Sequence, residues 1–217
     1  MTDFATRRRM MVDTQVRPSD VTEFPIIESM LTVPREKFVP VEKVEAAYSG
    51  DHVELWSGRH LLDARLFAKM LEVLDLTNDD LVLDIGAGLG YSSAVIARIA
   101  EAVIAVEDDE AQVAEAQSLL SENHSDNVVF HTGSLADGAA EHGPYDVIII
   151  QGGVEVVPAA IADQLKEGGR IACIFIENAL GTVRVGHKLE GEIAWRHAFN
   201  GTAPVLKGFE KATEFAL

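Results

Sequence analysis

Leu81-Val82-Leu83-Asp84-Ile85-Gly86-Ala87-Gly88-Leu89-Gly90-Tyr91 is the stretch whose reading decides the fold. Its first half is a short apolar run rich in branched residues, the pattern of a buried strand. The run carries Asp84 near its end and opens into three glycines at alternate positions. Ser92 to Ala100 then has the alanine and apolar spacing of a helix. Strand, glycine turn and helix make a corner where the backbone can approach a ligand at the carboxyl edge of a sheet.

The spacing of the glycines selects the ligand. A dinucleotide fingerprint reads G-x-G-x-x-G and seats a pyrophosphate on the helix N-terminus. Here the pattern is D-x-G-x-G-x-G, with Tyr91 where the third dinucleotide glycine belongs, and the chain has no P-loop. An acidic residue entering the turn disfavours phosphate and suits a ligand with a cationic end, such as S-adenosylmethionine (SAM), which has an ammonium and a sulfonium. The stretch resembles motif I of the class I SAM-dependent methyltransferases. Ala102-Val103-Ile104-Ala105-Val106 reads as a second strand and leads into Glu107-Asp108-Asp109. A carboxylate at that tip can accept hydrogen bonds from both ribose hydroxyls. The expected SAM contacts are Asp84 (to the amino group, directly or through water), Gly86, Ala87, Gly88, Gly90, Tyr91, Glu107 and Asp108.

Composition narrows the partners. The 217 residues include 18 basic and 35 acidic side chains, a formal charge of −17. That argues against nucleic acid, which needs a basic face. The single cysteine, Cys173, lies in an apolar run and reads as a small core residue, with no disulfide framework or cysteine zinc site. No signal core or membrane-length apolar run is present. A cytoplasmic protein is expected, with no membrane partner, as a monomer or dimer.

Upstream of the glycine turn, Met1 to Pro18 is polar and carries Arg7, Arg8, Arg9 and Arg17, which suggests a solvated helix or arm. Asp20 to Leu31 has an apolar helical face (Ile26, Ile27, Met30, Leu31), stopped by Pro34. Val33-Pro34-Arg35-Glu36-Lys37-Phe38-Val39-Pro40 and Ala47-Tyr48 follow. A short helix, V-P-R-E-x-F-V-P, A-Y and then motif I together resemble the protein-L-isoaspartate O-methyltransferases. The resemblance runs from about Ile26 to about Pro158. It implies methylation of the side-chain carboxylate of isoaspartyl residues in damaged proteins, with SAM as donor.

The same resemblance places the acceptor side over 51–68. The family carries G-x-x-x-T-I-S-x-P there; this chain has Trp56-Ser57-Gly58-Arg59-His60-Leu61-Leu62-Asp63-Ala64. The family's threonine falls on His60, its serine on Leu62 and its proline on Ala64. Ser57, Arg59 and His60 are the side chains that could hold an acceptor, and Leu62 marks the serine position. The changed segment keeps two other functions open: transfer to a different, small-molecule acceptor, or SAM binding without catalysis.

Beyond the second strand, Glu110 to Leu120 reads as a crossover helix and Asn127 to His131 as the third strand. The turn Gly133-Ser134-Leu135 lies against the adenine in related methyltransferases. Pro144 to Ile150 reads as the fourth strand, opening into a loop of Gln151, Gly152 and Gly153 that is expected to face the acceptor. Ile161 to Leu165 reads as a helix stopped by Gly168-Gly169, and Ile171 to Ile176 as the fifth strand. Two alternating runs, 181–188 and 193–199, read as an antiparallel pair. His187 and His197 have no metal-ligand spacing, so no metal is expected. The fold expected is α/β: a Rossmann-like, doubly wound, seven-stranded class I methyltransferase sheet. Residues 1–75 would form an N-terminal helical extension on the substrate side, and 76–217 the SAM-binding core.

Overall fold

Branched apolar strands alternating with helices fold into one mostly parallel sheet. The computed structural model describes residues 3–178 and 180–211. In chain order the elements are α1 (Phe4–Met11), α2 (Phe24–Thr32), β1 (Val53–Trp56), β2 (Arg59–Leu61), α3 (Ala64–Leu74), β3 (Leu81–Ile85), α4 (Tyr91–Ile96), β4 (Ala102–Glu107), α5 (Glu110–Glu122), β5 (Val128–Thr132), β6 (Tyr145–Val154), α6 (Ala159–Asp163), β7 (Leu165–Glu177), β8 (Leu180–Leu189) and β9 (Glu192–Asn200). Among the described residues, seven strands form the sheet in the order β5-β4-β3-β6-β7-β8-β9, and β1 and β2 pair only with each other.

The five strands from β5 to β7 are parallel, and β8 and β9 close the sheet antiparallel. Strand order reverses between β3 and β6, so their carboxyl ends flank the crevice where such sheets bind ligands. Side chains alternate between the two faces. Val82, Val103, Val147, Ile149 and Ala172 pack on one side, with the buried residues of the N-terminal 74 positions. Leu83, Ile85, Ile104, Ile148, Ile150 and Cys173 pack on the other. Burial on both faces explains why these strands read as continuous apolar runs.

The N-terminal segment is not the solvated arm expected from its charge; Met1 and Thr2 lie outside the described residues. α1 continues into a π-helical turn over Val12–Val16, and Met11, Val12 and Val16 are all core residues. Arg8 is tucked inward, donating to Glu36 and to the Tyr48 hydroxyl, and Arg7 pairs with Glu45. Two strand boundaries also differ from expectation. Gln151, Gly152 and Gly153 continue β6 instead of opening a loop, because Gly153 N–H donates to Pro204 O (2.8 Å) and Leu206 N–H donates to Gly153 O (2.9 Å). Leu165 begins β7 instead of ending a helix, since it pairs with Tyr145.

Candidate active site

The glycine turn has the backbone its spacing demands. Gly86, Gly88 and Gly90 have φ of +77°, +60° and +92°, the left-handed region that only glycine enters without strain. The turn is tied to the tip of β4: Gly88 N–H donates to Glu107 Oε1 at 2.7 Å, and Gly86 N–H to the Val106 carbonyl at 3.0 Å. Gly133 N–H donates to the Glu107 carbonyl (2.9 Å), which brings the β5 turn to the same point. Ser134 beyond it is exposed and Leu135 is buried in the core.

Asp84 is fully buried and serves as the bolt of the crevice floor. Its Oδ2 accepts from the Ser92 and Ser93 hydroxyls, both at 2.6 Å, and its Oδ1 from Gln151 Nε2 at 2.8 Å. Burial pushes its pKa up, and these three donors pull it back. Sequence reasoning assigned Asp84 to a ligand amino group; the structure spends three of its acceptor positions on the protein itself. It likewise turns Gln151, expected to meet an acceptor, onto Asp84. Ser92 and Ser93 were missed, although they follow the last glycine of D-x-G-x-G-x-G by two and three positions.

Over this floor lies the β1–β2 hairpin. Its Ser57-Gly58 turn uses Gly58 at φ +79°. Val53, Leu55, Arg59 and Leu61 are buried on its inner face. A charge on such a face needs a partner, and Arg59 finds it in Glu107. Arg59 Nε lies 2.7 Å from Glu107 Oε1, and Nη2 donates to Glu107 Oε2 (2.9 Å) and Asp108 Oδ1 (3.2 Å). Arg59 is 4% exposed, so it does not stand open to an acceptor as the sequence suggested. Burial raises the Glu107 pKa, while Arg59 and the Gly88 N–H lower it.

Leu55 Cδ1 sits over Gly88, 2.5 Å from where a Cβ would be, and Leu206 covers Gly86 and Gly152. What remains among Leu55, His60, Leu62, Gly86, Ala87 and Gln151 is a gap of about 10 Å³, room for about one water and far below a small-molecule site. The residue chemistry at the floor fits a SAM-type ligand: a buried carboxylate at the β4 tip, and glycines with no Cβ in the way. The space above that floor is held by Leu55 and Arg59, both from one hairpin.

The remaining expected site residues fall around this gap. His60 is half-buried opposite Glu54 on the hairpin, and burial lowers its pKa. Ser57 is exposed at the hairpin turn. Leu62 is a core residue whose carbonyl accepts from Arg35 Nη2 at 2.6 Å. Tyr91 is buried between Arg35 (4.8 Å to the ring centroid), Phe38 and Phe67. Gly152 is shut in by Leu206, and Gly153 by Ala203, Pro204 and Ile176. Away from the crevice, His131 Nδ1 and His142 Nε2 each lie 3.3 Å from Glu141 Oε1. These three side chains could hold a metal ion, but the geometry is equally that of two histidines sharing one carboxylate. Among the described residues, no helix is long and apolar enough to cross a membrane.

A seven-stranded sheet that reverses at a glycine turn, with an acidic β4 tip beside it, defines the class I methyltransferase architecture. Within that class the chain belongs to the protein-L-isoaspartate(D-aspartate) O-methyltransferase family, whose model matches residues 7–197. The protein-L-isoaspartate O-methyltransferase of Roseiflexus castenholzii is 35% identical over 169 residues, 78% of this chain and 77% of that protein. That of Pelotomaculum thermopropionicum is 35% identical over 167 residues, 77% of this chain and 73% of that protein. The fold matches a solved structure of a putative protein-L-isoaspartate O-methyltransferase from Plasmodium falciparum in complex with S-adenosyl-L-homocysteine. The TM-score is 0.79, covering 96% of this chain and 100% of that one at 18% identity.

Proposed function

We propose that this chain transfers a methyl group from SAM to the side-chain carboxylate of isoaspartyl residues in damaged proteins or peptides. Family membership supplies the reaction, and one observation carries the donor site: the buried Glu107 carboxylate at the β4 tip, bonded to Gly88 N–H. Glu107 would take the ribose hydroxyls and Gly86, Gly88 and Gly90 would let the donor lie close. Asp84, held by Ser92, Ser93 and Gln151, would keep the turn in shape. Gly133 to Leu135 would border the adenine. The bound donor supplies a methyl carbon activated by a sulfonium leaving group.

The acceptor carboxylate is ionised at neutral pH, with an ordinary pKa of about 4, so no general base is required. Positioning and exclusion of water remain as the protein's task. The hairpin above the crevice is suited to both. Residues 1–75 would form the acceptor side and 76–217 the donor side, in a cytoplasmic monomer or dimer without a nucleic-acid partner.

The test is base-labile transfer of labelled methyl from SAM to an isoaspartyl peptide, with its aspartyl twin as control. Transfer to the isoaspartyl form alone is expected. A second reading, a small-molecule acceptor or SAM binding without catalysis, is favoured by one departure: Leu62 is buried and apolar where the family has serine. No transfer to either peptide, with donor binding measured in the same sample, would select that second reading.

A further inference from the structure

We infer that Arg59 is an internal competitor for the donor site: the β1–β2 hairpin latches shut by placing its guanidinium on the carboxylate that the ribose must use. The inference rests on the donor reading above and adds to it how the site is gated.

The two oxygens of Glu107 are the natural acceptors for two vicinal hydroxyls, and both are engaged. Arg59 Nε lies 2.7 Å from one and Nη2 2.9 Å from the other, while Asp108 Oδ1 holds Nη2 from the flank at 3.2 Å. The Nη2–Oε2 bond is charge-assisted and directional, and Nε, close to Oε1 but without a hydrogen bond to it, adds charge attraction. Ribose and Arg59 therefore exclude each other at Glu107. The same hairpin puts Leu55 over Gly88, where a ligand must pass close to the backbone. Arg59 and Leu55 lie on one short element, so releasing one releases the other.

The hairpin is built to move as a unit. Its strands have four and three residues and join no other sheet, and an isolated two-stranded sheet is marginal by itself. Its base is anchored. His52 Nε2 meets the Thr202 carbonyl at 2.8 Å, Asp63 N–H donates to His52 Nδ1 at 2.9 Å, and Arg35 holds the Leu62 carbonyl. The inner face of its outer end is tied down by the Arg59 pair, with Lys43 bonded to Glu54 at the exposed edge. An anchored base and a latched end make a hinged cover. Removing one partner of a buried ion pair leaves the other charge uncompensated. The cover therefore stays shut until a ligand brings its own hydrogen-bond donors to Glu107.

Calorimetric titration of the full chain with S-adenosylhomocysteine tests this. Arg59→Gln should bind at least tenfold tighter than the wild type. Adding Glu107→Gln in that background should weaken binding at least tenfold, because the ribose contact is then read without the latch. If the wild type binds and Arg59→Gln binds equally or more weakly, the latch is overturned and the donor reading stands. If neither protein binds at millimolar ligand, the donor reading falls and the latch with it.

Should Arg59→Gln fail to fold, the wild type still decides. The Arg59 Nε–H resonance of ¹⁵N-labelled protein can be assigned through bonds from its own backbone. It should shift or exchange away on saturation with S-adenosylhomocysteine. A resonance unmoved at saturation would overturn the proposal.

Discussion

Arg35 reaches across 27 residues to donate from Nη2 to the Leu62 carbonyl at 2.6 Å. Its Nε donates to the Ala47 carbonyl at 2.7 Å. One fully buried guanidinium thus joins V-P-R-E-x-F-V-P, the A-Y pair and the start of α3, and stacks on Tyr91 of the glycine turn. Burial pulls its pKa down from the usual arginine range.

Arg35→Leu should therefore lose two bonds from a charged donor, each worth about 1.5–3 kcal/mol. A fall in unfolding free energy of about 3 kcal/mol or more is expected in urea. Arg35→Lys should recover little, because an ammonium cannot reproduce the planar fork. A loss under about 1 kcal/mol for Arg35→Leu would show that Arg35 does not pin these segments.

Gln151→Leu removes one of three donors from the buried Asp84. The expected loss is about 1.5–3 kcal/mol at neutral pH. The sign of its pH dependence follows from the raised Asp84 pKa. A carboxyl whose folded pKa is raised favours the folded state most below its unfolded pKa, and that advantage disappears as pH rises through the folded value. Losing a donor raises the folded pKa further. The variant's deficit should therefore be larger at pH 8 than at pH 5; an equal deficit at both would disconnect Gln151 from Asp84 ionisation.

His60 titrates in the opposite sense. Burial lowers its pKa in the folded chain, so it favours folding above its unfolded value near 6.5. That contribution is lost as pH falls through the folded value. His60→Gln should flatten the decline in stability between pH 7 and pH 5 relative to wild type. Parallel curves for the two proteins would remove His60 from the account.

The parts of the site legible in sequence were those carried by local chemistry. D-x-G-x-G-x-G required left-handed glycines, and all three have them. Glu107 could be placed at a strand tip by counting from Gly86. The hairpin could not be read, because strands of three and four residues offer too little alternation, and Arg59 interrupts their apolar face. The buried N-terminal segment was hidden by Arg7, Arg8, Arg9 and Arg17, whose charge outweighs the short apolar set Met11, Val12 and Val16 that it buries. Gln151 to Gly153 read as a loop because the residues bonded to Gly153, Pro204 and Leu206, lie about fifty positions downstream.

The bond between Asp84 and Gln151 spans 67 positions of the chain. During synthesis, the glycine turn leaves the ribosome well before the strand that supplies its opposite wall. Until β6 arrives, Asp84 has no Gln151 and β3 has only one neighbour in the sheet. The crevice is thus among the later features of the nascent chain to be completed, and a growing chain halted after α5 would present the glycine motif without a site to bind anything.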